Sequence, residues 1–155
     1  MIGHATKAAG GVGWILGVAC LALTLASCAT VRSWDLLDRR GDFETSQHEY
    51  TQSIRWGAFE KARQFVAEDA IERWDASRPL LSNVRFTEYA MRSNEFNIEQ
   101  MTATVHVTYN GYKVNSLVER TVEETQEWSR DPVSGQWQVR PDLTVLSAGL
   151  SGATP

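Results

Sequence analysis

The apolar residues of this chain change their spacing at Pro79, and this change constrains the fold more than any other feature. Before Pro79 they recur at intervals of three and four residues, the spacing of a buried helix face. After Pro79 they alternate with polar residues, as in strands that bury one face. The sequence therefore predicts an α+β fold, in which three N-terminal helices pack on a bent four-stranded antiparallel sheet.

Local signals mark the ends of the three predicted helices. Ser46 and Glu49 have the spacing of a capping box, which satisfies the free amide groups where a helix starts. Gly57 interrupts the apolar pattern and separates this helix from a second one. Asp69 and Glu72 repeat the capping spacing before a third helix. The proline ends that helix, because it disfavours helical geometry in the preceding residue.

The alternating pattern predicts four strands, at 83–91, 101–109, 114–130 and 137–145. Asn110-Gly111 follows the second strand and favours a tight hairpin turn, since both residues tolerate positive φ. In the first strand the apolar parity changes between Phe86 and Tyr89, which predicts a bulge. The tail 147–155 is rich in small residues, and we expect it to be frayed.

The N-terminus has the three parts of a secretory signal. Lys7 makes its start positive, residues 10–25 are apolar, and Leu25-Ala26-Ser27-Cys28 resembles the box that ends a bacterial lipoprotein signal. The resemblance implies cleavage before Cys28 and acylation of its sulfur, with palmitate among the attached chains. The alternative is an uncleaved transmembrane anchor, because the length of the apolar segment is close to that of a bilayer-spanning helix, about 20 residues.

The lipoprotein interpretation divides the chain into a signal peptide, a lipidated tether, a folded domain and a frayed tail, at 1–27, 28–43, 44–146 and 147–155. Ala29 follows the cysteine, where aspartate is typical of lipoproteins kept in the inner membrane. The resemblance thus implies an outer-membrane protein that faces the periplasm. An extended tether of about fifteen residues keeps the domain within about 50 Å of the membrane.

Composition limits the chemistry available to the domain. The chain has 19 acidic and 15 basic residues, a balance that disfavours binding to nucleic-acid backbones. Cys20 leaves with the signal and Cys28 is acylated, so we expect no disulfide, zinc site or thiol nucleophile. No motif for a cofactor is present in the sequence, and we expect none to bind. Stability then depends on burial, to which Trp34, Trp56, Trp74, Trp128 and Trp137 contribute.

The order of elements over residues 44–146 resembles the NTF2-like, or SnoaL-like, α+β cone. The likeness rests on helices before strands, on long paired strands and on the broken helix at Arg55-Trp56-Gly57-Ala58-Phe59. The last segment is also similar to an Arg-Trp-Gly-x-Phe motif of small uncharacterised proteobacterial envelope lipoproteins. The usual cone has a strand among its helices, whereas this sequence predicts none before Asn83. The family includes isomerases, dehydratases, ligand binders and interaction modules, some of them dimeric, so membership does not decide function.

Four residues are candidates for a pocket in such a cone: Arg120, Glu124, Trp56 and Phe59. Arg120 and Glu124 share the parity of the inner strand face, and an unpaired charge there is costly. One hypothesis pairs Arg120 with a carboxylate, from Glu124 or Glu88, at the floor of the pocket. The favoured alternative has Arg120 extending to solvent at the sheet edge. Trp56 and Phe59 either fill the core or rim the mouth of the cone.

Other chemistry-bearing residues have simpler interpretations. His106 lies on the polar face of its strand, so we interpret it as a surface histidine, and His48 as an exposed helix residue. Glu119, Glu123 and Glu127 form an acidic column on the outer face of the long strand, which Arg140 is placed to balance. The alternative is a docking surface for a basic partner.

Two hypotheses for function follow. The leading one is a non-catalytic, lipid-anchored periplasmic module that binds an envelope protein or supports an assembly, with a homodimer as one form. The other is a small-ligand binder or an isomerase- or dehydratase-like enzyme, which needs an open cavity with converging polar atoms.

Overall fold

The computed structural model describes residues 38–151. Among these residues, the part from Gly41 onward belongs to one compact unit, which contains the sheet. It is an α+β domain with a four-stranded antiparallel sheet, as predicted. Helix α1 is described from residue 38 and ends at residue 55; the later helices are α2 (Phe59–Arg63), α3 (Ile71–Ser77) and α4 (Leu143–Ser151). The strands are β1 (Val84–Asn97), β2 (Thr102–Lys113), β3 (Arg120–Arg130) and β4 (Trp137–Arg140).

The strands follow one another across the sheet in the order β1-β2-β3-β4. The register of β1 against β2 shifts between Phe86 and Glu88, and again between Met91 and Ser93. The first shift confirms the bulge predicted from the change in parity. Beyond β4, Val66 forms a single parallel bridge to Val139. The segment between α2 and α3 thus makes a minimal strand contact that the sequence did not predict.

The predicted turn at Asn110-Gly111 is wrong, because both residues lie within β2 and pair with Thr121 and Arg120 of β3. The chain reverses after Lys113 instead, through residues 114–119. Gly111 is needed for a different reason. A Cβ atom there would lie 2.8 Å from the Arg85 carbonyl oxygen and 2.9 Å from Phe86 Cδ1. Glycine therefore permits the close approach of β1.

Helix α1 begins earlier than predicted, since residues 38–43, assigned to the tether, are helical. Ser46 is therefore not a cap: its hydroxyl donates to the Asp42 carbonyl oxygen within the helix. The predicted break at Gly57 is confirmed, with φ of 69°. A third helix is also present as α3, but the Asp69 cap is wrong. Ala70 precedes α3 without a side-chain cap, and Asp69 accepts a hydrogen bond from Arg140 Nε at 2.9 Å.

The C-terminal part of the domain differs most from the prediction. The last strand ends at Arg140, and residues 143–151, predicted to be strand and frayed tail, form α4. Leu143, Leu146 and Leu150 are buried on one face of this helix. The helix packs closely on β3, because a Cβ atom at Gly149 would lie 2.5 Å from Val122 Cγ1. The strand prediction failed because Leu143 and Val145 also fit an alternating pattern.

The core lies between the helices and one face of the sheet. Tyr50 of α1 packs edge-on against Trp128 of β3, with ring centroids 5.6 Å apart. Phe43 contacts the same tryptophan and also Trp137 of β4. The alternation of β2 is confirmed by its buried members, Ala103, Val105, Val107 and Tyr109.

Candidate functional site

A cluster of polar side chains lies inside the domain, between α1 and the inner faces of β2 and β3. We call it the Glu124 network; its members are Gln47, Tyr50, Thr51, Tyr109, Glu124 and Gln126. Each is at most 2% exposed. Polar groups buried to this extent cost free energy unless they hydrogen-bond, so their partners decide whether the cluster is stable.

Helix and strand periodicity bring these residues together. Gln47 and Thr51 are one helical turn apart on α1 and share the face directed at the sheet. Glu124 and Gln126 are two positions apart on β3, so their side chains lie on the same face. Tyr109 is on the buried face of the adjacent strand β2. The network therefore joins three elements that are distant in sequence.

Three donors converge on the Glu124 carboxylate. The Tyr50 hydroxyl donates to Oε1 at 3.1 Å, and the Tyr109 hydroxyl donates to Oε2 at 3.1 Å. The side-chain amide of Gln126 donates to Oε2 at 2.8 Å. All three donors are neutral, so the carboxylate is held by oriented dipoles instead of by a cation.

Gln126 links this carboxylate to α1. Its Nε2 also donates to Thr51 Oγ1 at 3.1 Å. Its Oε1 accepts hydrogen bonds from Gln47 Nε2 at 3.3 Å and from Trp128 Nε1 at 3.2 Å. The amide of Gln126 is thus engaged at both ends, which fixes its orientation and that of the carboxylate beside it.

Burial raises the pKa of Glu124 above its ordinary value, although the hydrogen bonds from Gln126, Tyr50 and Tyr109 act in the opposite direction. Burial also raises the pKa of both tyrosines well above the usual value, and the nearby Glu124 charge adds to this. The tyrosines are therefore protonated donors at neutral pH. Glu124 binds a proton more readily than an exposed glutamate does.

The structure separates the two charged residues of the predicted pocket. Glu124 lies on the inner face, as predicted. Arg120 is exposed at the first residue of β3, and Glu88 is exposed on β1. The hypothesis of a buried Arg120–carboxylate pair is therefore wrong, and the alternative of a solvent-exposed arginine is confirmed. Arginine at this position avoids burial because β3 only begins there.

Trp56 and Phe59 lie at a cavity of about 740 Å³ beside the end of α1, which we call the Trp56 cavity. Trp56 is 71% exposed, and Phe59 is partly buried against the core. The first alternative, that both fill the core, is wrong for Trp56. The cavity is lined by Arg55, Trp56, Gly57, Phe59, Ser82, Val84, Arg85, Phe86, Thr87 and Tyr112.

Two arginines on the cavity wall are held in place by neighbours other than carboxylates. The Arg55 guanidinium stacks over the Trp56 ring, 4.6 Å from its centroid. Nη1 of Arg85 donates to the carbonyl oxygens of Ser82 and Val84, at 3.3 and 2.7 Å. These contacts orient both cations beside the aromatic wall.

The two histidines within residues 38–151 lie outside these sites. His106 is half-exposed on the outer sheet face, as predicted, with Nδ1 3.2 Å from Thr125 Oγ1 and 3.7 Å from Glu123 Oε1. His48 is exposed on α1, and its Nδ1 is 3.3 Å from the Tyr89 hydroxyl. Both are surface residues whose hydrogen-bond partners the sequence does not show.

Two members of the acidic column, Glu123 and Glu127, are exposed on the outer face of the sheet, as predicted. Glu119 is exposed too, but it lies in the loop before β3 and not in the sheet. Arg140 does lie opposite Glu127 in the register of β3 and β4. Its guanidinium is directed elsewhere, however, to Asp69 and Ser129. The column is therefore less neutralised than the sequence implied.

Sequence reasoning missed most of the polar interior. Tyr50 and Tyr109 fit the apolar patterns of a helix and a strand, which gives no sign of their hydroxyl groups. Gln47, Thr51 and Gln126 belong to no recognised motif. A signal was present, since Gln126 shares the strand parity of Glu124, and Gln47 and Thr51 share a helix face. Polar residues at inward positions on two elements indicate a buried network.

Cys28, the predicted lipidation site, lies outside the described residues. Within residues 38–151, no group of three histidine, cysteine, aspartate or glutamate side chains is placed to bind a metal ion. In the same part of the chain, no helix has the length and apolar character needed to cross a membrane.

Comparison with known proteins gives no match: no family model, no curated protein and no solved structure is similar to this chain. The description of the sites therefore depends on the structure alone.

Proposed function

We propose that this chain is a lipid-anchored envelope protein whose domain binds another envelope component without catalysing a reaction. The proposed anchor is an acylated Cys28, supported by the four-residue box that ends in this cysteine. The position of Ala29 supports the outer membrane and a domain that faces the periplasm. Two or more acyl chains give lasting attachment, so the domain works within reach of the membrane.

The proposed fold family is the NTF2-like cone. Its support is the order of elements, with α1 to α3 before a four-stranded antiparallel meander. The bridge between Val66 and Val139 adds support, because it occurs between helices, where the usual cone has its extra strand. The helix α4 is an addition to the order that the sequence led us to expect.

The observation that carries the non-catalytic role is the state of the polar interior. The hydroxyl groups of Tyr50 and Tyr109 donate to Glu124, and the amide of Gln126 is engaged at both ends. An enzyme that uses such groups needs them free to meet a substrate in an open cavity. Here they bond to one another in the core, which favours a structural role.

The outer face of the sheet is the surface proposed for a macromolecular partner. It carries Glu123 and Glu127 together with a row of threonines on β2, and Glu119 is in the loop that leads into β3. Excess negative charge on such a face favours a basic partner. A second copy of the chain is the other partner consistent with this proposal.

Two experiments test the proposal. In cells, Cys28→Ala should abolish incorporation of labelled palmitate and move the protein out of the outer-membrane fraction. A photoreactive amino acid at Thr104 or Thr125, on the outer face, should give adducts of defined mass, whereas one at the β3–β4 turn residue Val133 should not. Changing the three column glutamates to glutamine should reduce these adducts. Adducts equal at all three positions, or absent, contradict binding by this face.

The second candidate is an isomerase- or dehydratase-like enzyme, and one observation favours it. A glutamate with a raised pKa between two tyrosine hydroxyls is suited to donate a proton to a bound ligand. This candidate requires the network to open to solvent. Hydrogen exchange on α1 distinguishes the two: slow exchange across 47–51 excludes it, and rapid local opening supports it.

A further inference from the structure

The Trp56 cavity has an unusual balance of charge. Two arginines line it, and none of its ten lining residues among residues 38–151 is acidic. One carboxylate lies beside the wall, since the lining Thr87 hydroxyl donates to Glu119. Acidic residues nevertheless outnumber basic ones in the whole chain, 19 to 15. The cavity is therefore a local positive site on a protein with net negative charge, which favours an anionic ligand.

The arginines of this cavity differ from others in the domain. Arg63 and Arg140 each donate to an aspartate, and Arg78 pairs with Glu60. Within residues 38–151, neither Arg55 nor Arg85 has a carboxylate within 4.0 Å. No carboxylate of the described residues pairs with either cation, so their positive charge is available to a ligand.

Both guanidinium groups are also oriented before any ligand arrives. The Trp56 ring supports one plane of Arg55, and two backbone carbonyls hold Nη1 of Arg85. Nε and Nη2 of Arg85 keep their donor capacity within the described part of the chain. Oriented guanidinium groups suit the bidentate recognition of phosphate oxygens.

Apolar side chains accompany this charge. Trp56, Phe59, Phe86 and Tyr112 give the cavity an aromatic wall. The loop after β2 lies at the same end of the sheet, since Val114 N donates to the Asn83 carbonyl oxygen. In this loop Leu117 is 73% exposed and Val118 is 50% exposed. Exposed tryptophan and aliphatic residues beside arginines are typical of surfaces that enter the lipid headgroup region.

We propose that the Trp56 cavity binds the phosphate group of an anionic phospholipid, with Arg55 and Arg85 as ligands to the phosphate and with Trp56, Leu117 and Val118 in contact with the lipid. This proposal rests on the domain being a binding module, but it does not depend on acylation of Cys28. Labelling of Cys28 and lipid binding by the cavity are measured separately, so each can fail without the other.

The test uses the full chain reconstituted in phosphatidylcholine vesicles that contain a trace of labelled, photoactivatable phosphatidylglycerol. After irradiation, labelled peptides should map to the regions of Trp56 and Tyr112. The Arg55→Gln/Arg85→Gln double variant should reduce the labelled yield about tenfold or more, because charged hydrogen bonds to phosphate are lost. Arg92→Gln is the matched control, since Arg92 is exposed on β1 outside this cavity, and its yield should not change.

Competition identifies the source of the phosphate. Unlabelled phosphatidylglycerol should suppress labelling, whereas phosphatidylcholine and free glycerol 3-phosphate should not. Equal suppression by phosphatidylcholine contradicts selection for negative charge, and equal suppression by glycerol 3-phosphate contradicts a lipid ligand. Trp56→Ala removes a largely exposed side chain, so it should fold and still lose labelling. If it labels like the wild type while keeping its melting temperature, the proposal is wrong.

Discussion

Tyr50 on α1 and Glu124 on β3 are 74 positions apart in the chain, and the tyrosine hydroxyl donates a hydrogen bond of 3.1 Å to the glutamate carboxylate. The bond joins the first described helix to the centre of the sheet. Since both residues are buried, it forms only when helix and sheet are packed together. The pair is thus a sensitive reporter of the folded core.

We predict that Glu124 makes the stability of the domain depend on pH. Its pKa is raised in the folded state above the ordinary value of about 4.3, so the folded chain binds the proton more readily than the unfolded chain. The free energy of unfolding should therefore rise as pH falls from the folded pKa toward about 4.3. Glu124→Gln cannot titrate and should lack this rise in urea unfolding.

Comparing the pH dependence of stability between the wild type and Glu124→Gln separates the effect of Glu124 from that of other carboxylates. Asp75 and Asp131 have lowered pKa values, because Arg63 hydrogen-bonds to the first and the Ser134 backbone amide to the second. The stabilisation that these two carboxylates give the domain is therefore lost in acid. Both act equally in wild type and variant, so their effect cancels in the difference. Parallel stability curves for the two proteins would contradict a raised pKa for Glu124.

Removing either tyrosine hydroxyl should destabilise the domain. Tyr50→Phe or Tyr109→Phe leaves one oxygen of a buried carboxylate with fewer donors, at an expected cost of about 1–3 kcal/mol in the free energy of unfolding. Tyr89→Phe is the control, because within the described residues its hydroxyl has a single hydrogen-bond contact, with exposed His48 at 3.3 Å. Its cost should be under about 0.5 kcal/mol. In the Glu124→Gln background the cost of Tyr50→Phe should change, which a double-mutant cycle measures.

Gly111 should not tolerate a side chain, although it is not in a turn. In Gly111→Ala the new Cβ atom would lie 2.8 Å from the Arg85 carbonyl oxygen, which is backbone and cannot turn away. We expect a loss of about 1–3 kcal/mol, as for other overpacked sites. Gly41→Ala is the contrast: it is in α1 with nothing within 4 Å, and it should gain up to about 1 kcal/mol from helix propensity. Equal effects in thermal unfolding would contradict the proposed clash.

The sequence predicted the parts of the fold that depend on local periodicity. The change of spacing at Pro79, the break at Gly57 and the bulge near Phe86 are all recovered in the structure. The turn prediction at Asn110-Gly111 was wrong because glycine, which favours turns, is also needed within a strand where a neighbouring strand approaches closely. Close approach is a tertiary property, which periodicity does not report.

The candidate site was predictable only in part, for a related reason. Strand parity placed Glu124 inside correctly, but parity alone also placed Arg120 there, because the start of β3 could not be read from the pattern. The hydroxyl groups that satisfy Glu124 come from α1 and β2, so its partners are defined by packing between elements. The arginines of the Trp56 cavity likewise come from α1 and β1, 30 positions apart in the numbering of the chain.

Arg120→Ala should leave the domain as stable as the wild type. The side chain is exposed at the start of β3, and surface substitutions of this kind usually change stability by less than about 0.5 kcal/mol. A melting temperature that falls by several degrees would show that Arg120 has a buried partner after all.

Asp142 should be necessary for the helix that the sequence did not predict. Its Oδ1 accepts a hydrogen bond from the Thr144 amide at 3.0 Å, so it caps the start of α4. Asp142→Ala should cost about 0.5–2 kcal/mol of unfolding free energy, whereas Asp142→Asn, which keeps the acceptor, should cost much less. Because Leu143, Leu146 and Leu150 bury their side chains through this helix, fraying of α4 should also expose core residues. Amide hydrogen exchange over residues 143–151 measures this directly: faster exchange in Asp142→Ala than in Asp142→Asn is expected, and equal exchange would mean that packing on β3 alone holds α4 in place.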